Sequence, residues 1–209
     1  MNSKVPVERP IQSRMTRGKL ATSVGRSIWV VREPIANDPH DFQNSSIRIK
    51  CLQKEDALGV GQILSNIKVR DNIWHIKNVR HWLPIIDEWL SDKWSLCLVA
   101  LDSKNKAIGI IRVKKWRHER RQHCAWIGPV AVCPGVWRQR VGMRLLETVA
   151  KICAESGVSR IEIAVPIDAK GMLELAHKAH FQIEGVQRRA LRRSESYYTD
   201  LLMLARICK

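Results

Sequence analysis

Residues 126–147 hold a stretch whose residue types and spacing read as binding chemistry. Trp126-Ile-Gly-Pro-Val-Ala-Val132 is apolar, Cys133-Pro134 ends it, and a basic turn, Trp137-Arg138-Gln139-Arg140, leads into Val141-Gly142-Met143-Arg144-Leu145-Leu146-Glu147. A strand stopped by proline, a basic turn and then a helix leaves the first N–H groups of that helix without partners, at the positive end of its dipole. A pyrophosphate suits such an end. Arg138, Arg140 and Arg144 add cations beside those amides.

The surrounding pattern supplies the elements that must hold this stretch. Ile47, Ile49 and Cys51 alternate with Arg48 and Lys50, the period of a half-buried strand. Residues 55–77 and about 80–91 read as helices, the second tolerating Pro84 only near its first turn. Residues 96–101 and 107–111 are strands around the hairpin signal Asp102-Ser-Lys-Asn-Lys106, and another strand runs from about Cys124 to Val132. A helix spans about 141–156, with Gly157 placed as its C-cap. A strand at 161–165, a helix at 169–179 and strands at about 182–192 and 198–207 follow. The order predicts a single α/β (α+β) domain with a mixed sheet. Residues 1–45 lack sustained periodicity and are read as a flexible basic N-terminal extension, pinned locally by Ile28-Trp29-Val30-Val31. The domain proper is expected over 46–209.

Composition narrows the classes. The chain has 209 residues, 45 % of them hydrophobic, enough for one sizeable core and against wholesale disorder. No apolar run reaches the roughly 18 residues of a membrane span, and the N-terminus lacks the apolar core of a secretory signal. Six scattered cysteines have no metal-ligand cadence, so no metal site is expected. Reduced, buried thiols predict a cytoplasmic location. The 36 Lys and Arg against 20 acids leave a net charge of +16, concentrated at 112–121 and 188–193. That field favours acidic partners.

The order of elements, the Val132-Cys133-Pro134 strand end and the Leu145-Leu146 pair together resemble the GNAT (GCN5-related N-acetyltransferase) superfamily. Its acetyl-CoA motif, R/Q-x-x-G-x-G/A, falls on Trp137-Arg138-Gln139-Arg140-Val141-Gly142. Gly142 is kept, Trp137 stands for the usual Arg or Gln, and Arg140 stands for the first Gly. Downstream, Asp168 lies where the family has Asn. Leu175-Ala176-His177-Lys178-Ala179-His180-Phe181 matches a block in which Ala176 replaces a Tyr that often protonates the leaving thiolate, and His180 replaces a Gly. Glu184-Gly185 and the closing Tyr197-to-Met203 block also fit. The resemblance covers about residues 46–207. It implies a mostly antiparallel sheet flanked by helices, acetyl-CoA as cosubstrate, and cofactor contacts from Val130, Ala131, Val132, Arg138, Gln139, Arg140, Val141, Gly142 and Met143.

The resemblance further implies acetyl transfer to an amine, with a backbone amide of 130–132 polarising the thioester. The family's base is often a Glu in that strand, yet Cys124–Val132 contains none. His118, Glu119 and His123 lie just before it and are the candidates, and His177 is a candidate for the absent Tyr. The catalytic residues and the amine remain open. Trp116, within the basic cluster, is a candidate for stacking on a nucleobase. A second reading is a GNAT-fold protein of little activity that docks RNA, DNA or a ribosome through its arginines.

Overall fold

The computed structural model describes residues 28–32, 35, 47–70, 73 and 82–208. Its elements run β1 (Arg48–Cys51), α1 (Ala57–Ser65), α2 (Ile67–Arg70), α3 (Leu83–Ser91), β2 (Ser95–Leu101), β3 (Ala107–Lys115), β4 (Cys124–Val132), α4 (Val141–Glu155), β5 (Arg160–Pro166), α5 (Lys170–Lys178), β6 (Gln182–Arg192) and β7 (Tyr198–Ile207). The strands form one seven-stranded sheet, ordered β1-β2-β3-β4-β5-β7-β6. Only β4 and β5 pair in parallel. The expected mixed, mostly antiparallel sheet is present.

The helix expected over 55–77 is broken. Asn66 is extended, with ψ of 127°, and ends α1. Its side-chain oxygen then accepts the Lys68 N–H at 3.0 Å, starting α2 afresh, because Asn competes for backbone groups inside helices. Pro84 sits in the first turn of α3, where its missing N–H costs nothing.

Two hydrophobic clusters hold the layers together. On one face α4 packs on the sheet through Leu145, Leu146, Val149 and Cys153 against Ile111, Val113, Ile127 and Ile161. On the other, α1 and α3 cover Cys97, Val99, Ile110 and Ala131. Within the expected 1–45 extension, Trp29 is a core residue, only 5 % exposed. Its indole N–H donates to the Trp94 carbonyl at 3.3 Å, and the Lys115 ammonium lies 5.1 Å from its ring centre.

Both long-range helices end alike. After α4 the Val158 N–H bonds the Cys153 carbonyl at 2.8 Å and the Gly157 N–H the Ala154 carbonyl at 3.1 Å. After α5 the Phe181 N–H bonds Ala176 and the His180 N–H bonds His177, each at 3.0 Å. Both are Schellman motifs, which need a left-handed residue just past the helix. Gly157 supplies φ of 74° in one, and His180 supplies 62° in the other.

Candidate active site

The sheet opens at its centre. β4 and β5 pair only at Cys124–Arg160, Ala125–Ile161 and Trp126–Glu162, and beyond those residues no pairing joins them. The cause lies in β4. Its register against β3 advances from Ile127 to Val130 while β3 moves only from Val113 to Ile111, so β4 bulges at Gly128-Pro129. A bulge leaves one residue outside the ladder and turns the strand. Proline, lacking an N–H, is compatible with that place.

Past the bulge, antiparallel alternation decides which backbone groups are free. The Cys133 N–H bonds Ile108, which puts Ala131 in the same phase, bonded toward β3. Val130 and Val132 therefore aim their N–H and C=O groups at the opening. The Val132 carbonyl accepts the Trp137 indole N–H at 2.8 Å, consistent with that direction. Ala131 thus differs from the expectation: its backbone serves the sheet and its side chain is buried under α1 and α3.

The opening leads to the N-terminus of α4. No side chain caps this helix, and its first turn carries no acid, so the N–H groups of Val141, Gly142 and Met143 face outward. Arg140 precedes it with φ of 60°, and Arg138 has φ of 63°. Arg140 thus adopts at the family's glycine position the left-handed backbone glycine would supply. Arg138, Gln139 and Arg140 are exposed, while the Val141 side chain is core. Gly142 has a packing reason, since a Cβ there would lie 2.9 Å from Leu175 of α5. Arg144 is a correction. It is 7 % exposed and donates to the Ile47 carbonyl at 2.9 Å, so it ties α4 to the residue just before β1 and is turned away from the exposed helix end.

Where β4 and β5 part, a cleft of about 970 Å³ opens on the face away from α4. Arg112 and Lys114 reach it because they alternate with core residues Ile111 and Val113, as Trp126 and Glu162 do with Ile127 and Ile161. Its carboxylates are engaged. Glu162 accepts from Arg121 at 2.7 and 2.8 Å, from Arg160 at 2.7 Å and from the Trp116 indole at 3.1 Å. Glu184 pairs with Arg160, which holds its carboxyl below the usual range.

Of the three base candidates only His118 lines this cleft. Its Nδ1 accepts the Arg120 N–H at 3.3 Å, so a neutral ring carries its proton on Nε2 and presents a donor. Glu119 is exposed on a short 3-10 turn, and His123 uses its carbonyl to fix the start of β5. Ala176 is fully buried and His177 exposed, so α5 brings no phenol to the opening. Trp116 is partly committed, its ring 4.2 Å from the Arg121 guanidinium.

The two basic clusters lie at opposite ends of the sheet. Residues 112–121 run from the second half of β3 into the turn after it, beside the start of β5. Residues 188–193 lie beyond its other end, where Arg193 pairs with Asp168 at 2.8 Å. Among the described residues no group of His, Cys, Asp and Glu could hold a metal ion. No helix there is long and apolar enough to cross a membrane. The cysteines described are all free.

The model of the acetyltransferase (GNAT) family matches residues 63–181. No curated protein matches. Among solved structures, a GNAT-family acetyltransferase from Streptococcus pneumoniae aligns with a TM-score of 0.66 at 19 % identity, covering 77 % of this chain and 99 % of that one. A putative acetyltransferase from Salmonella typhimurium, solved with acetyl-CoA, aligns at 0.67 and 16 %, covering 79 % and 95 %. Spermidine N-acetyltransferase from Vibrio cholerae, solved with CoA and spermine, aligns at 0.68 and 13 %, covering 79 % and 97 %.

Proposed function

Because the chain belongs to the acetyltransferase (GNAT) family, we propose that it moves an acetyl group from acetyl-CoA to an amine held in the cleft where β4 and β5 part. The observation that carries this reading is the order of features along β4: the cleft lined by Trp126 and Gly128, then the outward-facing backbone of Val130 and Val132, then the uncapped N-terminus of α4.

The donor set fits the cosubstrate. The N–H groups of Val141, Gly142 and Met143, with Arg138 and Arg140 beside them, suit a pyrophosphate. The Val130 C=O and the Val132 N–H suit the amides of a linear arm, as a strand edge suits a peptide. The cosubstrate would supply a thioester: the amine lone pair forms the N–C bond as the C–S bond breaks, and the amine's surplus proton passes through solvent to the departing thiolate, which leaves as the CoA thiol. The Val130 N–H is placed to stabilise the developing oxyanion. His118 donates from the cleft wall and Trp126 closes its floor. The polyamine of the Vibrio cholerae neighbour does not carry over, because cations crowd this cleft.

Isothermal titration with acetyl-CoA tests the reading. Micromolar binding is expected, weakened about tenfold or more by Arg140→Glu, which reverses a charge at the phosphate end. Val130→Pro should keep the fold, since that N–H faces no strand, yet lower kcat about 100-fold. No binding at millimolar acetyl-CoA overturns the proposal.

A further inference from the structure

The wall of the cleft is unbalanced in charge. On the β5 side Arg121 and Arg160 are matched by Glu162 and Glu184. On the β3 side a single carboxylate, Asp92 at the end of α3, serves three cations. Lys114 lies 2.7 Å from it, Arg117 3.4 Å and Arg112 3.6 Å. Asp92 is itself turned inward, its side chain 11 % exposed, with its oxygens also accepting from the Trp94 N–H and Ser95 Oγ. The Lys114 and Arg117 side chains are 38 % and 65 % exposed and line the cleft, while the carboxylate they share stays turned inward. Three cations on one carboxylate leave this ion-paired group with two positive charges in excess.

That imbalance bears on both partners of the reaction. A polycationic amine would approach against it. An amine whose molecule carries an anion would be drawn in and oriented, its anion on Lys114 and Arg117 and its nitrogen free toward the bulge. The same field disfavours the ammonium form of the incoming group, so more of it is present as the neutral nucleophile. This matters in a cleft whose carboxylates are engaged and whose histidine presents a donor.

Resting on the transferase reading above, we propose that the acceptor is an amine bearing its own carboxylate or phosphate, bound through Lys114 and Arg117. The shared chemistry is an amine with a nearby anion, whether in a small molecule or at the free N-terminus of an acidic peptide.

The test uses the full chain with acetyl-CoA and reads release of the CoA thiol. One arm compares O-phosphoethanolamine, β-alanine, ethanolamine and 1,3-diaminopropane, which vary the charge beside one amine. The other compares two tetrapeptides with a free N-terminus, one with two aspartates and one with two lysines. The anionic members of at least one arm should exceed the neutral or cationic ones about tenfold in kcat/KM. The arm that responds identifies the source. Lys114→Gln and Arg117→Gln should each erode the preference, and Lys114→Glu with Arg117→Glu should invert it, with acetyl-CoA titration unchanged. No anionic preference in either arm, absence of turnover included, overturns the proposal while bound acetyl-CoA leaves the transferase reading standing. Failure of acetyl-CoA to bind overturns that reading instead.

Discussion

Replacing His180 with glycine should stabilise the protein, although it removes a side chain and adds none. His180 holds the left-handed position that closes α5, at φ of 62°, and is exposed. An L-residue there bears a cost of about 1–2 kcal/mol relative to a right-handed position, somewhat less for His, which tolerates the region better than most. Glycine removes that cost but adds freedom to the unfolded chain worth about 0.5–1 kcal/mol. The net expectation is a gain of about 0.5–1 kcal/mol. With a urea m-value of about 2 kcal/mol/M, the midpoint should rise by about 0.25–0.5 M. Gly157→Ala is the mirror test in the other Schellman motif. Its φ is 74° and an added Cβ would meet nothing within 4 Å, so backbone conformation alone should lower stability, by about 1 kcal/mol. Equilibrium unfolding of both variants, followed by circular dichroism, decides the matter. A His180→Gly protein less stable than its parent would refute the reasoning, because His180 would then owe its place to contacts and not to a tolerated strain.

Other expectations follow from burial and charge. Trp29→Ala should cost about 3–5 kcal/mol in equilibrium unfolding, as an emptied core site does, and a loss below about 1 kcal/mol would remove Trp29 from the core. Asp92 is pushed up by burial, but hydrogen bonds from Lys114, the Trp94 N–H and Ser95 outweigh this and hold its carboxyl at about 2, below the ordinary 3.8. Its stabilisation is therefore complete above about pH 4 and lost as pH falls toward 2, amounting to about 1–2 kcal/mol after solvent screening of its cations. The urea midpoint of Asp92→Asn should accordingly vary less between pH 4 and 2 than that of the parent. An unchanged pH profile would contradict the assignment.

Local signals were sufficient for much of the fold. Alternation around Ile47, the hairpin at Asp102–Lys106, Gly157 after α4 and Pro84 at the start of α3 each act through neighbouring backbone, so they are readable in one dimension. The basic turn leading into the uncapped start of α4 was legible for the same reason. Trp29 was recognised only as a local pin, since its partners Trp94 and Lys115 are distant in sequence. Arg144 was misplaced beside the phosphate end, although it stands three residues after Val141 and next to Leu145, on the helix's apolar stripe. The parting of β4 from β5 was not legible, because it depends on which strands pair beyond Trp126. The cleft wall was hidden likewise: residues 112–121 read as a basic surface, but their share of Asp92 and Glu162 arises only when α3 and β5 come alongside.

The three-rung ladder between β4 and β5 also has a mechanical meaning. Through those rungs the sheet is two rafts, β1 to β4 and β5 to β7, hinged at one end, with α4 lying over β2, β3 and β4 of the first. A linear molecule lying in the gap would act as an eighth strand, laced to Val130 and Val132 on one bank. Amide hydrogens along 130–132 should then exchange with deuterium much more slowly, and far more so than those of β1 or β6. The melting temperature should climb with concentration of the occupant, by the equivalent of about 2.7 kcal/mol at a hundred times its Kd. Rigidity would thus arrive with the substrate, leaving the resting enzyme to breathe along its central seam.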